Sequence, residues 1–376
     1  MAFEGWRQPV AIAMWDFSWL ERRWPGAGYH DWGRALDELV ERGYDAVRID
    51  AFPHLVAADP ARTWTLLPIW NQHDWGSPLP VQVQVQPALN EFIALCAARG
   101  VKVALSSWFR EDTTDARRLI ASGAGLGRVW TATLRSIEAA GLLDHILYVD
   151  LCNEWPDSDW APYLYDPAVE NPARLSRADP TVMGWTDEAL AEVRTAYPII
   201  PLCFSVSAEL WSWSEQDVSG FDFLEPHVWM AHNQKTGFYA ELGYDMTASM
   251  FDPAQYELLA REAPALYARD RDRWRAVLSG AVENVADWSR VAGRPLITTE
   301  CWAIVNWKDG PGLDWAWIKE LCEFGVGAAL ATGRWIGLAT SNFCGPQFRG
   351  MWEDVAWHQR LTSQIRNTPT PPGGTS

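Results

Sequence analysis

The chain has 376 residues, and its 48 acidic against 31 basic side chains leave a formal charge of −17. With no run of Lys and Arg, that balance excludes nucleic acid and anionic membrane surfaces as partners. A composition of 48% hydrophobic and 21% charged residues excludes a disordered chain, and 25 Trp, whose flat faces suit ring-shaped ligands, point toward carbohydrate.

Met1 to Trp6 shows no basic segment leading into an apolar stretch, and no run approaches the length of a membrane span, so a cytoplasmic protein is expected. Pro9 to Phe17 reads as the first strand, followed by a helix over Asp31–Arg42 that ends at Gly43. Ala46 to Phe52 is the second strand, and a polar, aromatic loop then runs from Pro53 to Gln86. The helix over Pro87–Arg99 has Pro in its first turn and Gly100 past its end, as helix termini prefer. Val101 to Phe109 is the third strand. Helical sequence from Asp115 to Ala140 is interrupted around Gly123 to Gly127.

Ile146 to Glu154 is the fourth strand, and the loop behind it reaches Gly184. A helix over Asp187–Tyr197 leads to the fifth strand, Pro201 to Val206, and Phe223 to Met230 is the sixth. A third long loop, Ala231 to Ala268, precedes a long helix over Tyr267–Ala292. Pro295 to Glu300 is the seventh strand, and a helix follows over Asp314–Phe324. The eighth strand lies within Ala328 to Phe343. A last helix over Asp354–Ile365 precedes a Pro/Gly/Thr tail from Asn367 that reads as disordered. The six Cys stand singly at 96, 152, 203, 301, 322 and 344 without a Cys-x-x-Cys pair, which predicts reduced, buried thiols.

Short Val/Ile/Ala-rich runs alternating with amphipathic stretches predict βα units and a parallel sheet. Eight such strands, with no Gly-rich phosphate fingerprint after the first, fit an α/β fold. It is one (β/α)8 TIM barrel over residues 1–366, with long loops on its catalytic face. In a barrel the reactive side chains come from the C-terminal strand ends. Those positions hold Trp15 and Asp16, Arg48 and Asp50, Ser106 to Trp108, Asn153 to Trp155, His227 and Trp229, and Glu300 to Trp302. Two glutamates on well-separated strands of one face, Glu154 and Glu300, are what glycoside hydrolysis needs.

Three segments carry a resemblance. Residues 147–156 (LYVDLCNEWP) resemble the fourth strand of glycoside hydrolase clan A, residues 293–300 (GRPLITTE) its seventh, and residues 43–50 (GYDAVRID) its second. The likeness is closest to the cellulase-like, family-five branch. It implies Glu300 as nucleophile, Glu154 as general acid/base, Asn153 on the sugar 2-hydroxyl, Arg48 beside the nucleophile, and retention of configuration. The chain departs from that pattern at Ser106-Ser107, where a His is frequent, and at His227-Val228-Trp229, which replaces His-x-Tyr. Trp335 is the candidate for the eighth-strand sugar platform.

Trp15, Asp16, Asp50, Trp108, Trp155, Trp229, Trp302 and Trp335 are further candidates for the sugar site. Trp130, Trp274, Trp288 and Trp357 lie in helical sequence and read as packing. The dispersed His residues predict no metal, and no cofactor is expected. Three long loops at the barrel mouth predict a pocket, hence exo action on a terminal sugar of a small glycoside or oligosaccharide. A transglycosidase with the same residues, a non-catalytic sugar-binding barrel and a homo-oligomer all stay open.

Overall fold

The computed structural model describes residues 8–231, 237–310 and 313–369. β1 (Val10–Asp16), β2 (Ala46–Asp50), β3 (Lys102–Ser106) and β4 (Ile146–Asp150) are regular. β5 is split into Leu202–Cys203 and Ser205–Val206, β6 into Glu225–Pro226 and Val228–Trp229, and β7 into Leu296–Thr298 and Cys301–Trp302; β8 is Trp335–Leu338. A parallel sheet runs in the order β7–β8–β1–β2–β3–β4–β5. The ring closes through short parallel ladders, Ser205–Val206 beside Glu225–Pro226 and Val228–Trp229 beside Cys301–Trp302, with a bridge from Leu224 to Leu296. β2 is buried throughout and β1 from its second residue on, because barrel lumen and helix layer cover opposite faces. That double burial is why these strands read as apolar runs.

Eight longer helices surround the ring: α1 (Trp32–Glu41), α2 (Val85–Ala97), α3 (Gly123–Ala139), α4 (Pro180–Ala196), α5 (Pro253–Arg269), α6 (Arg271–Ala292), α7 (Ala316–Ala331) and α8 (Val355–Asn367). Asp31 caps α1 by accepting from the Arg34 backbone N–H at 3.0 Å. The Gly123–Gly127 stretch opens α3 instead of interrupting it. Ser122 caps that helix, and a Cβ on Gly123 would collide with the Trp185 carbonyl oxygen of α4. These glycines are contact points between two helices.

The third loop is shorter than expected because α5 occupies its second half. Asp252 caps α5, and Pro264 sits inside it, where the residue reads from sequence as a breaker. α4 likewise starts at Pro180 behind its cap Asp179, ahead of the expected Asp187. Met1 to Trp6 and the tail beyond Pro369 lie outside the described residues. All six Cys are buried and unbridged. Among the described residues, no helix is long and apolar enough to cross a membrane.

Candidate active site

Arg48 points from the middle of β2 into the barrel lumen, fully buried. Its guanidinium donates to Glu300 Oε1 at 3.0 Å, to Asp150 Oδ2 at 2.7 Å, to Asn153 Oδ1 at 2.8 Å and to Ser106 Oγ at 3.0 Å. Glu225 Oε1 lies 3.5 Å from its Nε, and the ring of Trp108 lies 4.6 Å from its central carbon. A buried cation needs such partners, and here it organises side chains from the ends of β2, β3, β4, β6 and β7.

The β4 ladder stops at Asp150, so Asn153 and Glu154 lie beyond the strand. Asn153 N–H donates to the Ser107 carbonyl at 2.9 Å, and Glu154 N–H donates to Ser205 Oγ at 3.0 Å. Glu154 adopts left-handed backbone geometry (φ 50), uncommon for a residue with a Cβ. Its carbonyl is held by the Asp157 N–H at 2.9 Å and by the Arg174 guanidinium. This twist turns the carboxylate over the lumen.

His227, buried on β6, stands between the two glutamates: its Nδ1 lies 3.0 Å from Glu154 Oε1 and 3.6 Å from Glu300 Oε2. Glu154, His227 and Glu300 each offer one atom within 4.8 Å of the others. Burial pushes the Glu300 carboxyl above its ordinary range, with Glu154 adding and both His227 and Arg48 opposing. Burial alone would lower the His227 pKa, but the carboxylates of Glu300 and Glu154 outweigh it, and the imidazole is raised. A divalent cation is the group this trio can hold by spacing. However, Arg48 already occupies Glu300 Oε1, and a raised imidazole pKa favours a protonated ring over a metal ligand.

A cavity of about 840 Å³ opens above these groups. Asp16, Trp108, Asn153, Glu154, Trp229 and Glu300 line it, as the sequence reading expected. Walls come from all three long loops: Trp70 and Trp75 from the first, Asp157, Trp160 and Arg174 from the second, Met246 and Met250 from the third.

Five expected site residues are placed elsewhere. Trp15 is buried beside Tyr29 and Phe92 and donates to the Cys344 carbonyl at 3.1 Å. Trp155 donates to Thr186 Oγ1 at 3.1 Å and packs on Phe204, so it faces away from the lumen. Trp302 donates to the Ala339 carbonyl at 3.1 Å and presses on Gly325, and Trp335 donates to Thr298 Oγ1 at 2.9 Å. Asp50 accepts from the backbone N–H groups of Phe52 at 2.7 Å and Trp108 at 3.0 Å, and so supports the loop that carries Trp108. Alternation along β1 sends Trp15 to the face opposite Asp16, whereas β7 is broken between Thr298 and Cys301, so Trp302 does not keep the facing of Glu300.

Asp150 and Glu225 were missed by sequence reasoning. Asp150 bridges Arg48, Ser106 Oγ at 2.6 Å and the Ser205 N–H at 2.7 Å. Glu225 accepts from Thr299 Oγ1 at 2.5 Å and Tyr148 at 3.3 Å. The period of two was the available signal, since Glu225 and His227 sit two residues apart on one strand. Ser106, where the clan pattern often has His, joins Arg48 to Asp150.

A family model described as cellulase-like, sugar-binding, matches residues 12–366. A candidate glycoside hydrolase from Parabacteroides distasonis is 47% identical over 97% of this chain and 95% of its own, with a TM-score of 0.93. A GH5_18 variant from Bifidobacterium longum subsp. longum, solved with Manβ1-4GlcNAc, is 14% identical, with a TM-score of 0.55, over 96% of this chain and 80% of its own. Thermotoga maritima Cel5A, solved with mannotriose, is 13% identical over 97% of this chain and 100% of its own, with a TM-score of 0.55. The last two share the fold. No curated protein matches the chain.

Proposed function

The chain belongs to the sugar-binding cellulase-like family, and from that premise we propose that it is a retaining, exo-acting glycoside hydrolase with Glu300 as nucleophile and Glu154 as general acid/base. The observation that carries this reading is the spacing: oxygens of Glu154 and Glu300 lie within 4.8 Å of one another across His227. Retaining enzymes hold their carboxyl groups about 5–5.5 Å apart, whereas inverting ones leave about 6.5–9.5 Å for a water.

In the first step a Glu300 oxygen bonds to the anomeric carbon as the glycosidic bond breaks, and Glu154 gives its proton to the departing oxygen. Water then loses a proton to Glu154, bonds to the same carbon and releases Glu300. Arg48 and His227 favour the ionised nucleophile, because both bring positive charge to its carboxylate. Arg48 also fixes Asn153 Oδ1, which leaves the Asn153 amide nitrogen to donate to a sugar hydroxyl.

Walls from three loops on one cavity support action on a chain end, since a long polymer needs an open cleft. The tryptophans at its rim supply apolar faces for a sugar ring. The test is hydrolysis of a panel of aryl β- and α-glycosides, pyranose and furanose, by wild type and Glu300→Gln. Cleavage by wild type that falls by orders of magnitude in the variant supports the assignment. Sugar binding without turnover in both proteins would identify a binding barrel instead.

A further inference from the structure

Two buried side chains in the cavity carry hydrogen-bonding atoms that the protein itself leaves unused. Asp16, just 2% exposed at the end of β1, accepts from the Ser18 N–H through Oδ1, while its Oδ2 has no partner among the described residues. Asn342, 1% exposed behind β8, donates through Nδ2 to the Val305 carbonyl at 3.4 Å, and its Oδ1 also has no partner among them. Both line the cavity with Glu300. They come from neighbouring strands, for β1 pairs with β8 at Val10–Gly337 and Ala11–Leu338. Buried polar groups are almost always satisfied, so two unsatisfied ones on one wall of one cavity require an explanation.

We propose that Asp16 and Asn342 form a donor–acceptor pair that reads the adjacent 3- and 4-hydroxyls of the terminal sugar. This deepens the glycosidase reading and rests on its placement of the anomeric carbon between Glu154 and Glu300. With the anomeric carbon held between Glu154 and Glu300, the ring carbons remote from it, C3 and C4, reach toward the β8–β1 side, where the pair stands. Burial pushes the Asp16 carboxyl well above its ordinary range; Ser18 opposes this, and the charges of Glu21 and Glu300 add to it. Burial thus disfavours the charged carboxylate, and Oδ2, the oxygen without a partner among the described residues, is the one placed to carry a proton toward the sugar. It donates to one hydroxyl while the Asn342 carbonyl accepts from the next. Because both atoms are enclosed, the pair also excludes a sugar substituted at either position, which selects an unsubstituted chain end.

The experiment compares 4-nitrophenyl β-D-glucoside, β-D-galactoside and β-D-mannoside with their 3-deoxy, 4-deoxy and 4-O-methyl counterparts. Wild type, Asp16→Asn and Asn342→Ala are assayed on the parent that wild type cleaves fastest and on its analogues. Wild type is expected to lose at least about 10-fold, and up to about 10,000-fold, in kcat/KM on each deoxy analogue. In the variants the penalty at one hydroxyl is expected to collapse toward unity, because the group that read it is gone. Unchanged penalties in both variants, or equal rates on parent and deoxy sugars in wild type, overturn the pair; the second outcome needs no folded variant. Calorimetry on Glu300→Gln with the free sugars and their 3- and 4-deoxy forms separates the two readings. Preserved discrimination without hydrolysis by wild type defeats the hydrolase and keeps the pair, whereas hydrolysis without discrimination does the reverse.

Discussion

The Arg48 guanidinium and the Glu300 carboxylate, 252 positions apart in sequence, meet at 3.0 Å on the floor of the cavity. The same cation faces Asp150 at 2.7 Å and Glu225 at 3.5 Å, so one charge holds three buried carboxyl groups together. Removing it strands them in a medium that solvates charge poorly. Arg48→Met is expected to destabilise the fold by about 3–5 kcal/mol, read by chemical denaturation. Arg48→Lys, which keeps the charge but not the fork of donors, should fall between. Wild-type stability in Arg48→Met would refute the role of this cation as the organiser of the site.

Glu154 as the acid makes a prediction about leaving groups. Glu154→Gln should slow hydrolysis of glycosides with poor leaving groups by about 100- to 10,000-fold. Glycosides of acidic phenols need little protonation and should lose much less. Rates across a series of phenols decide this, and an equal loss for every member would argue against proton donation by Glu154.

His227 lowers the pKa of Glu300 through its positive charge, working against burial, with Glu154 and Arg48 the other charged groups at that carboxylate. Replacing it with Gln removes this help, so Glu300 becomes harder to ionise. The acid limb of kcat/KM against pH should therefore move to higher pH in His227→Gln. An unmoved limb would mean that the imidazole carries no charge at the working pH.

Asp50 offers a test through stability alone. Burial raises its pKa from 3.8 to about 7, against the opposing hydrogen bonds from Phe52, Trp108 and Ser107. The native state thus binds a proton more readily than the unfolded chain. Its contribution is fully present below about pH 4 and is lost as pH rises through about 7, on the order of 4 kcal/mol in all. Stability measured at steps across that window should fall with a shallower slope in Asp50→Asn than in wild type. Parallel slopes would contradict the raised pKa.

Much of this molecule was legible in the sequence, for physical reasons. The regular strands were found because burial on both faces makes them apolar runs bounded by Gly and polar turns. The order of Arg48, Asn153, Glu154, His227 and Glu300 along strand ends located the lumen residues, and the structure brings these five together. The tryptophans were less legible. Trp108 and Trp229 reach the cavity while Trp15, Trp155, Trp302 and Trp335 pack behind it, and composition is blind to which way each ring faces. Glu225 and Asp150 escaped because they touch Arg48 below the cavity, and the two-residue spacing that puts Glu225 on the face of His227 carries no weight until that partner is known. Asn342 escaped because the boundaries of its strand were not defined by turn residues.

The most direct test of the central claim is the configuration of the sugar first released, followed by proton NMR during hydrolysis of the best aryl glycoside. The short spacing between Glu154 and Glu300 predicts that the product appears first as the same anomer as the substrate and mutarotates afterward. First appearance of the opposite anomer would show single displacement by water and would contradict Glu300 as nucleophile.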